Sequence, residues 1–448
     1  MTNSMSRDMT KGSEASLILS FALPMLFGNL LQQLYNIADT IIVGKHLGDD
    51  ALAAVGATGS ITYFFYTFCL GMSIGAGVIV SQYFGAGEPK KVKSAIFNSA
   101  IVTFIFSIII TVISVLLSRP LLEFLKTPSE FIDVSVGYMR IACMGTLAVG
   151  AYNWINSIMR SLGDTKTPLV FLGIASALNI CLDLLFVIVF EWGANGAAAA
   201  TIIAQFISAV GCIIYGFTKN SDMFLEKDDM KYNSVMAKKC VMVGIPIAVQ
   251  NSTISISMIA LQRVTNTFGE VVMAAYTATM RIEQLIQSLF SSLNAAISAF
   301  TGQNTGASEE KRVIRGYHVT VKMSFIVSAV MIIVFWLFAN PIVSIFVSGE
   351  KTISIAANGL RLNSCFYVFL GLIHTTRGFL NGAGDAGYAA INGLVEVICR
   401  IVFSLILTKI AFILHMGIWL TTAITWFVTG IISVLRYKQG IWKRKSLI

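Results

Sequence analysis

Asp39 and Asp183 are carboxylates inside long apolar runs, and Glu283 is a third. A charged side chain at mid-bilayer costs about 2.5–3.5 kcal/mol on insertion scales, so an intramembrane acid marks an ion or proton site by default. Asn179 precedes Asp183 by one helical turn, which puts both on one helix face. Counted from the outer ends of their runs at about 1.5 Å per residue, Asp39, Asp183 and Thr201 fall in one layer, with Asn179 a turn deeper. Two carboxylates, an amide and a hydroxyl offer hard oxygen ligands. That set suits Na⁺, or a proton shared by the acids where they couple, and no other metal is expected. A hydrogen-bond cluster that only holds helices together is the alternative reading of the same residues.

A polar stripe extends this site. Asn29, Gln32, Asn36 and Asp39 follow 3-4-3 spacing and share one helix face, which predicts a substrate-lining surface. Pro24 removes a backbone hydrogen bond below the stripe and predicts a kink. A matching stripe of Asn251, Ser255, Met258 and Gln262 follows in the second half. Glu283 is placed to meet a cationic substrate, to carry a second proton, or to pair with Arg281 or Arg263. Glu396 and Arg400, spaced i, i+4, read as an internal salt bridge. Phe64, Phe65, Tyr66 and Phe68 read as core or lipid-facing surface rather than a ligand pocket. Asp49-Asp50 and Asp228-Asp229 lack the spacing of a diphosphate–metal site, and no Walker A motif occurs, so an enzyme or ATP-driven pump is not expected.

The elements that must carry these residues are membrane helices. The chain has 448 residues, is 56% hydrophobic and 12% charged, and has a mean hydropathy of +0.76. Soluble domains carry about 25% charged residues. Strict apolar/polar alternation is absent, which argues against a β-barrel. An all-α polytopic protein with twelve spans is predicted, at 16–44, 51–83, 94–118, 131–160, 168–190, 195–217, 238–266, 271–303, 316–347, 353–383, 388–410 and 415–437. Most Lys and Arg, including Lys90, Lys91, Lys93, Lys238, Lys239, Lys311, Arg312 and Lys443, then lie on the side of both termini, which the positive-inside rule makes cytoplasmic. This bias accounts for the net charge of +9 without a nucleic-acid partner. The seven cysteines form no CxxC pair, and neither disulfides nor a metal cluster is expected. Residues 1–15 are polar, so no cleavable signal peptide is expected.

The two halves repeat at an offset near 221. Gln82, Gly85-Ala86 and Glu88 align with Gln303, Gly306-Ala307 and Glu309; Gly163-Asp164 aligns with Gly384-Asp385, and Thr201 with Thr422; Pro24 aligns with Pro246 after a one-residue slip. Six spans per repeat return the chain to its starting side, so the repeats are parallel, with a pseudo-two-fold axis along the membrane normal. The predicted organisation is an N-terminal lobe over 1–217, a charged cytoplasmic linker over 218–237 and a C-terminal lobe over 238–448. The site residues do not repeat: Arg400 stands opposite Asn179, Ser404 opposite Asp183 and roughly Leu261 opposite Asp39.

This pattern resembles the multidrug and toxic compound extrusion (MATE) family of secondary transporters. The resemblance covers nearly the whole chain. It is carried by the two six-span halves, Leu23-Pro24, Ala38-Asp39-Thr40, Val43-Gly44, the Gln82 and Gln303 motifs, the 160–164 segment and the 193–201 segment. Within the family it is most similar to the DinF-like branch, whose span-1 aspartate, span-5 Asn-x-x-x-Asp pair and span-6 threonine match Asp39, Asn179/Asp183 and Thr201. The NorM-like branch carries an acid early in span 7, where this chain has Gln250, Asn251 and Thr253. The resemblance implies a monomeric multi-pass protein of the cell membrane without an organic cofactor. It implies export of small amphipathic or cationic molecules, driven by inward Na⁺ or H⁺ through alternating access. A flippase for a lipid-linked precursor, which shares the superfamily fold, is the alternative.

Overall fold

The computed structural model describes residues 6–124, 127, 132–410 and 413–448; side chains at 40, 43, 45, 47–55, 57 and 60 are also outside the description. Thr40 and Val43 of the family-like opening segment, and the Asp49-Asp50 pair, therefore fall outside the described side chains. Among the described residues every regular element is helical: α1 Glu14–Gly85, α2 Pro89–Phe124, α3 Ile132–Met144, α4 Thr146–Ser161, α5 Lys166–Asp183, α6 Gly193–Lys219, α7 Ser234–Thr265, α8 Glu270–Gly306, α9 Glu310–Ser344, α10 Glu350–Ser364, α11 Tyr367–Gly382, α12 Gly387–Leu407 and α13 Gly417–Lys438.

These helices account for the twelve expected spans, with one difference. The backbone stays helical from Glu14 to Gly85, where a break near 45–50 is expected. That stretch holds Gly48, with Gly44 just before it, but no proline, so nothing in it forces the helix to stop. Within α1 lie two apolar span-length segments, Glu14–Asp39 and Ile61–Gly85. By length and composition, nine helical segments among the described residues can cross a membrane, and the α3–α4 pair, bent by 41°, makes a tenth. The other two are α8, which carries Glu270, Arg281 and Glu283, and the α10–α11 pair, whose first helix carries Glu350, Lys351 and Arg361.

The side-chain pattern is that of a protein turned inside out. On α2 the buried positions include Asn98, Ser99, Thr103, Ser107, Ser114 and Ser118, while Phe104, Ile105, Val112 and Leu116 are exposed, the last at 70%. On α9 Thr320, Ser324 and Ser328 are buried, and Ile326, Val330 and Ile333 face outward. Water would not tolerate such faces; hydrocarbon does, and it leaves small and hydroxylated residues for helix–helix contact.

The chain forms two compact units. The first takes Met1–Met9, Leu23–Ser252 and Leu447–Ile448, and the second takes Thr10–Ala22 and Thr253–Ser446. Helix pairings within the units repeat. In the first, α2 packs on α3 and α4, and α6 on α4 and α5; in the second, α9 packs on α10 and α11, and α13 on α11 and α12. The first core gathers Ile79, Ile96, Ile155 and Met159, with Trp154 Nε1 donating to Ser99 Oγ at 2.9 Å. The second gathers Phe290, Tyr367, Trp419 and Trp426, with Trp419 Nε1 donating to Thr279 Oγ1 at 3.1 Å. Gly163 and Gly384 hold the same left-handed turn, at φ 86° and 89°; a side chain there would be strained. The aspartate that follows differs in use. Asp164 Oδ1 accepts the backbone N–H groups of Lys166 and Thr167 at 3.0 Å and so starts α5. Asp385 instead takes a forked pair of bonds from Arg436, at 2.8 and 3.0 Å.

Candidate functional site

Three helices of the first unit converge on the acids singled out above. α1 carries Asp39, α5 carries Asn179 and Asp183, and α6 carries Thr201. Asn179 Nδ2 donates to Thr201 Oγ1 at 3.3 Å, and Thr201 Oγ1 donates to the Ala197 carbonyl at 3.1 Å. The carboxyl groups of Asp39 and Asp183 lie close enough to influence each other electrostatically. Asp183 is 0% exposed. Neither of its oxygens has a donor among the described residues, and the same holds for Asp39 Oδ1 and Asn179 Oδ1.

This local shortage is one of positive charge. Every unpartnered atom named here is an oxygen acceptor. Two ionised carboxylates that close repel each other in a low-dielectric setting; one proton shared between them, or one cation held by both, removes the repulsion. The orphaned carboxylate and amide oxygens thus fit a small hard cation or a proton. Among the described residues no three His, Cys, Asp or Glu side chains gather as a metal site.

Local structure frames the acids on both sides. One turn beyond them, Ile42, Val187 and Ala197 form a buried apolar cluster, which raises the strength of any charge interaction beneath it. Val187 lies in a π-helical stretch, Leu184–Val189, that continues α5 directly from Asp183. Widened turns of this kind recur at functional sites. One to two turns the other way lies a cavity of about 20 Å³ lined by Gln32, Tyr35, Tyr152, Ser176, Asn179 and Gln205, among others. That is room for one water-sized occupant. The Tyr35 hydroxyl reaches Gln32 and Gln205, and Gln205 Oε1 is a further buried acceptor without a donor.

Sequence reasoning missed Tyr35, Tyr152, Ser176 and Gln205. The signal was present for three of them. Tyr35 is four residues before Asp39, Gln205 four after Thr201 and Ser176 three before Asn179, so each shares a face with a recognised residue. Tyr152 comes from α4 and had no such cue.

The remaining candidates are placed as follows. Gln32 lines the cavity; Asn29 and Asn36 share its stripe on α1 without lining that cavity. Pro24 sits inside α1, two residues past the point where the helix passes from the second unit's residues to the first's. Gln262 belongs to the second unit and donates to Asn266 Oδ1 at 2.8 Å. Glu283, 6% exposed, accepts from Asn363 Nδ2 at 2.5 Å; Asn363 on α10 takes the place expected for Arg281 or Arg263. Glu396 does bridge to Arg400 at 3.1 Å, and its other oxygen holds Arg377 at 3.3 Å. Phe64, Phe65 and Phe68 meet edge to face within a buried cluster, and the Tyr66 hydroxyl donates to the Ala142 carbonyl at 2.8 Å.

Comparison with known proteins gives a consistent picture. The sequence profile of the MatE family matches residues 24–185 and again 246–406. The two matches start 222 residues apart and end 221 apart, at the spacing of the internal repeat. A Bacillus subtilis (strain 168) protein named "Probable multidrug resistance protein YpnP" is 28% identical over 441 residues, 98% of each chain. One from Thermotoga maritima named "Probable multidrug resistance protein NorM" is 24% identical over 438 residues, 96% of this chain and 94% of its own. A solved MOP superfamily transporter from Pyrococcus furiosus superposes with a TM-score of 0.91 over 99% of both chains, at 23% identity.

Proposed function

The chain belongs to the MatE family, and we propose that it is a secondary antiporter of the cell membrane. It exports small cationic or amphipathic molecules in exchange for Na⁺ or H⁺, by alternating access, with both termini in the cytoplasm and no cofactor. The observation that supports this reading best is the neighbouring pair of carboxylates, Asp39 and Asp183, in which both Asp183 oxygens and Asp39 Oδ1 lack donors. The transported ion supplies what they lack.

Asp39 and Asp183 hold the ion, with Asn179 and Thr201 as neutral ligands or proton partners. Ion entry cancels the repulsion between the acids and lets α1 approach α5 and α6 more closely. Ion release restores the repulsion and favours the looser arrangement. Coupling follows because the ion binds the two arrangements with different affinity. Substrate contact is assigned to the Asn29, Gln32 and Asn36 stripe on α1 and to Gln262 and Glu283.

Proteoliposome transport of a fluorescent lipophilic cation, with Na⁺ and pH gradients imposed separately, tests this function. One gradient should drive transport of the wild type and fail to drive Asp39→Asn or Asp183→Asn. Full gradient-driven transport by both variants would remove the assignment.

A further inference from the structure

A second cavity, of about 220 Å³, opens in the first unit. Its lining includes Tyr83 from the last turn of α1, Lys90, Lys91 and Ser94 from the start of α2, and Asn233 and Lys239 at the start of α7. Lys239 Nζ donates to the Tyr83 hydroxyl at 2.9 Å and to the Leu447 carbonyl, and sits 5.4 Å from the centre of the Tyr83 ring. Lys91 pairs with Glu88 at 2.6 Å. Lys90 makes no ion pair among the described residues, and neighbouring Lys93 is held by Asp229 at 3.8 Å. Three lysines against the carboxylate of Glu88 leave the cavity with a net charge of +2.

Its neutral groups are also set to donate. The Tyr83 hydroxyl accepts from Lys239, and Ser94 Oγ accepts from Asn98 Nδ2 at 3.4 Å; each keeps its own proton to give. Asn233 Oδ1, the amide acceptor of the lining, is already taken by the backbone N–H groups of Val235 and Met236. The first turn of α2 adds the positive end of a 36-residue helix. Ammonium groups and hydroxyl donors around a space larger than several waters suit a multi-oxygen anion.

The position narrows the choice. Beyond Lys93, α2 becomes one of the most apolar spans of the chain, so the lysines stand where a span leaves hydrocarbon for water. Tyr232 and Val235 beside them are 66% and 63% exposed; an amphipathic tyrosine favours the headgroup layer, and an exposed valine suits the adjoining hydrocarbon. We propose that this cavity binds a phosphate-ester anion at the cytoplasmic membrane boundary. Two sources share that chemistry: the headgroup of an anionic phospholipid of the adjoining leaflet, and a soluble phosphate compound.

Native mass spectrometry and thermal unfolding of the full-length protein in neutral detergent separate them. The probes are short-chain phosphatidylglycerol, phosphatidylcholine of equal chain length, and inorganic phosphate. Saturable binding of phosphatidylglycerol over phosphatidylcholine, weakened at least tenfold (about 1.4 kcal/mol) in Lys90→Gln/Lys91→Gln, is expected for a lipid site. Lys90→Arg/Lys91→Arg should restore it, and Lys219→Gln, an exposed lysine outside the cavity, should leave it unchanged. Inorganic phosphate that saturates and displaces phosphatidylglycerol would assign the site to soluble anions. No preference of the wild type for either anion, or equal binding by the Lys90→Gln/Lys91→Gln protein, would overturn the proposal. Because both lysines are exposed, that variant should unfold at the wild-type temperature; if it does not, the arginine variant and the phosphate competition on the wild type decide.

Discussion

Positions related by the repeat carry opposite solutions to buried polarity. In the first unit, Asp183 lies fully buried with no donor on either oxygen, and Asp39 Oδ1 is likewise without one. In the second unit the counterparts are Arg400, Ser404 and Leu261, and the buried carboxylate of the region is fully engaged. Glu396 binds Arg400 through one oxygen and Arg377 through the other, Arg400 donates to Ser257, and Arg377 donates to Asn392 Oδ1 at 2.6 Å. Helix pairings and turns persist across the repeat, while the chemistry does not. A carboxylate with an arginine on each oxygen has little reason to take up a passing cation. A carboxylate pair with three of its four oxygens lacking donors has a strong one. On the proposed function, the second cluster does structural work and the first exchanges the ion.

The largest expected effect breaks the comparison at its functional end. Asp39→Asn and Asp183→Asn should each reduce gradient-driven export to background, whereas Glu396→Gln protein that folds should remain coupled. Next comes stability. Arg400→Ala removes one of the two arginines that hold buried Glu396, at a cost of about 3–5 kcal/mol. Asp183→Asn should be neutral or stabilising, because it deletes a buried charge that has no partner. Unfolding of detergent-solubilised protein reads both, and a destabilised Asp183→Asn protein would make the first cluster structural too. Smaller is Thr201→Val, which removes one neutral ligand worth about 1 kcal/mol; the ion concentration for half-maximal transport should rise by roughly tenfold or less. Smallest is Glu283→Gln. An amide oxygen can still accept from Asn363, so stability should shift by about 1 kcal/mol or less, while affinity for a cationic substrate falls modestly in competition assays.

Much of this was legible in the sequence because membrane insertion makes polar residues conspicuous. Asp39, Asn179 and Asp183 stand out against apolar neighbours, and the structure gathers them with Thr201. The repeat was legible for the same reason turns are: Gly163-Asp164 and Gly384-Asp385 mark equivalent bends of the backbone. What escaped notice was tertiary or conformational. Tyr152 and Arg377 reach their clusters from helices whose spacing says nothing about their partners. Asn363 meets Glu283 across 80 residues of chain, closer than either arginine that charge alone suggested. The π-helical stretch after Asp183 has no sequence signature in Leu184–Val189, a plain apolar run. The unbroken α1 backbone shows the converse limit, since a short polar interruption suggested a loop that helical propensity did not require.

The central claim is that the Asp39–Asp183 pair takes its missing partner from the transported ion. Infrared difference spectroscopy of the reconstituted protein, on adding Na⁺ or on acidification, observes carboxyl groups directly. One of the two treatments should produce a carboxyl-region difference signal in the wild type that is absent from both Asp39→Asn and Asp183→Asn and retained in Glu396→Gln. A signal that persists unchanged in both aspartate variants would contradict the account.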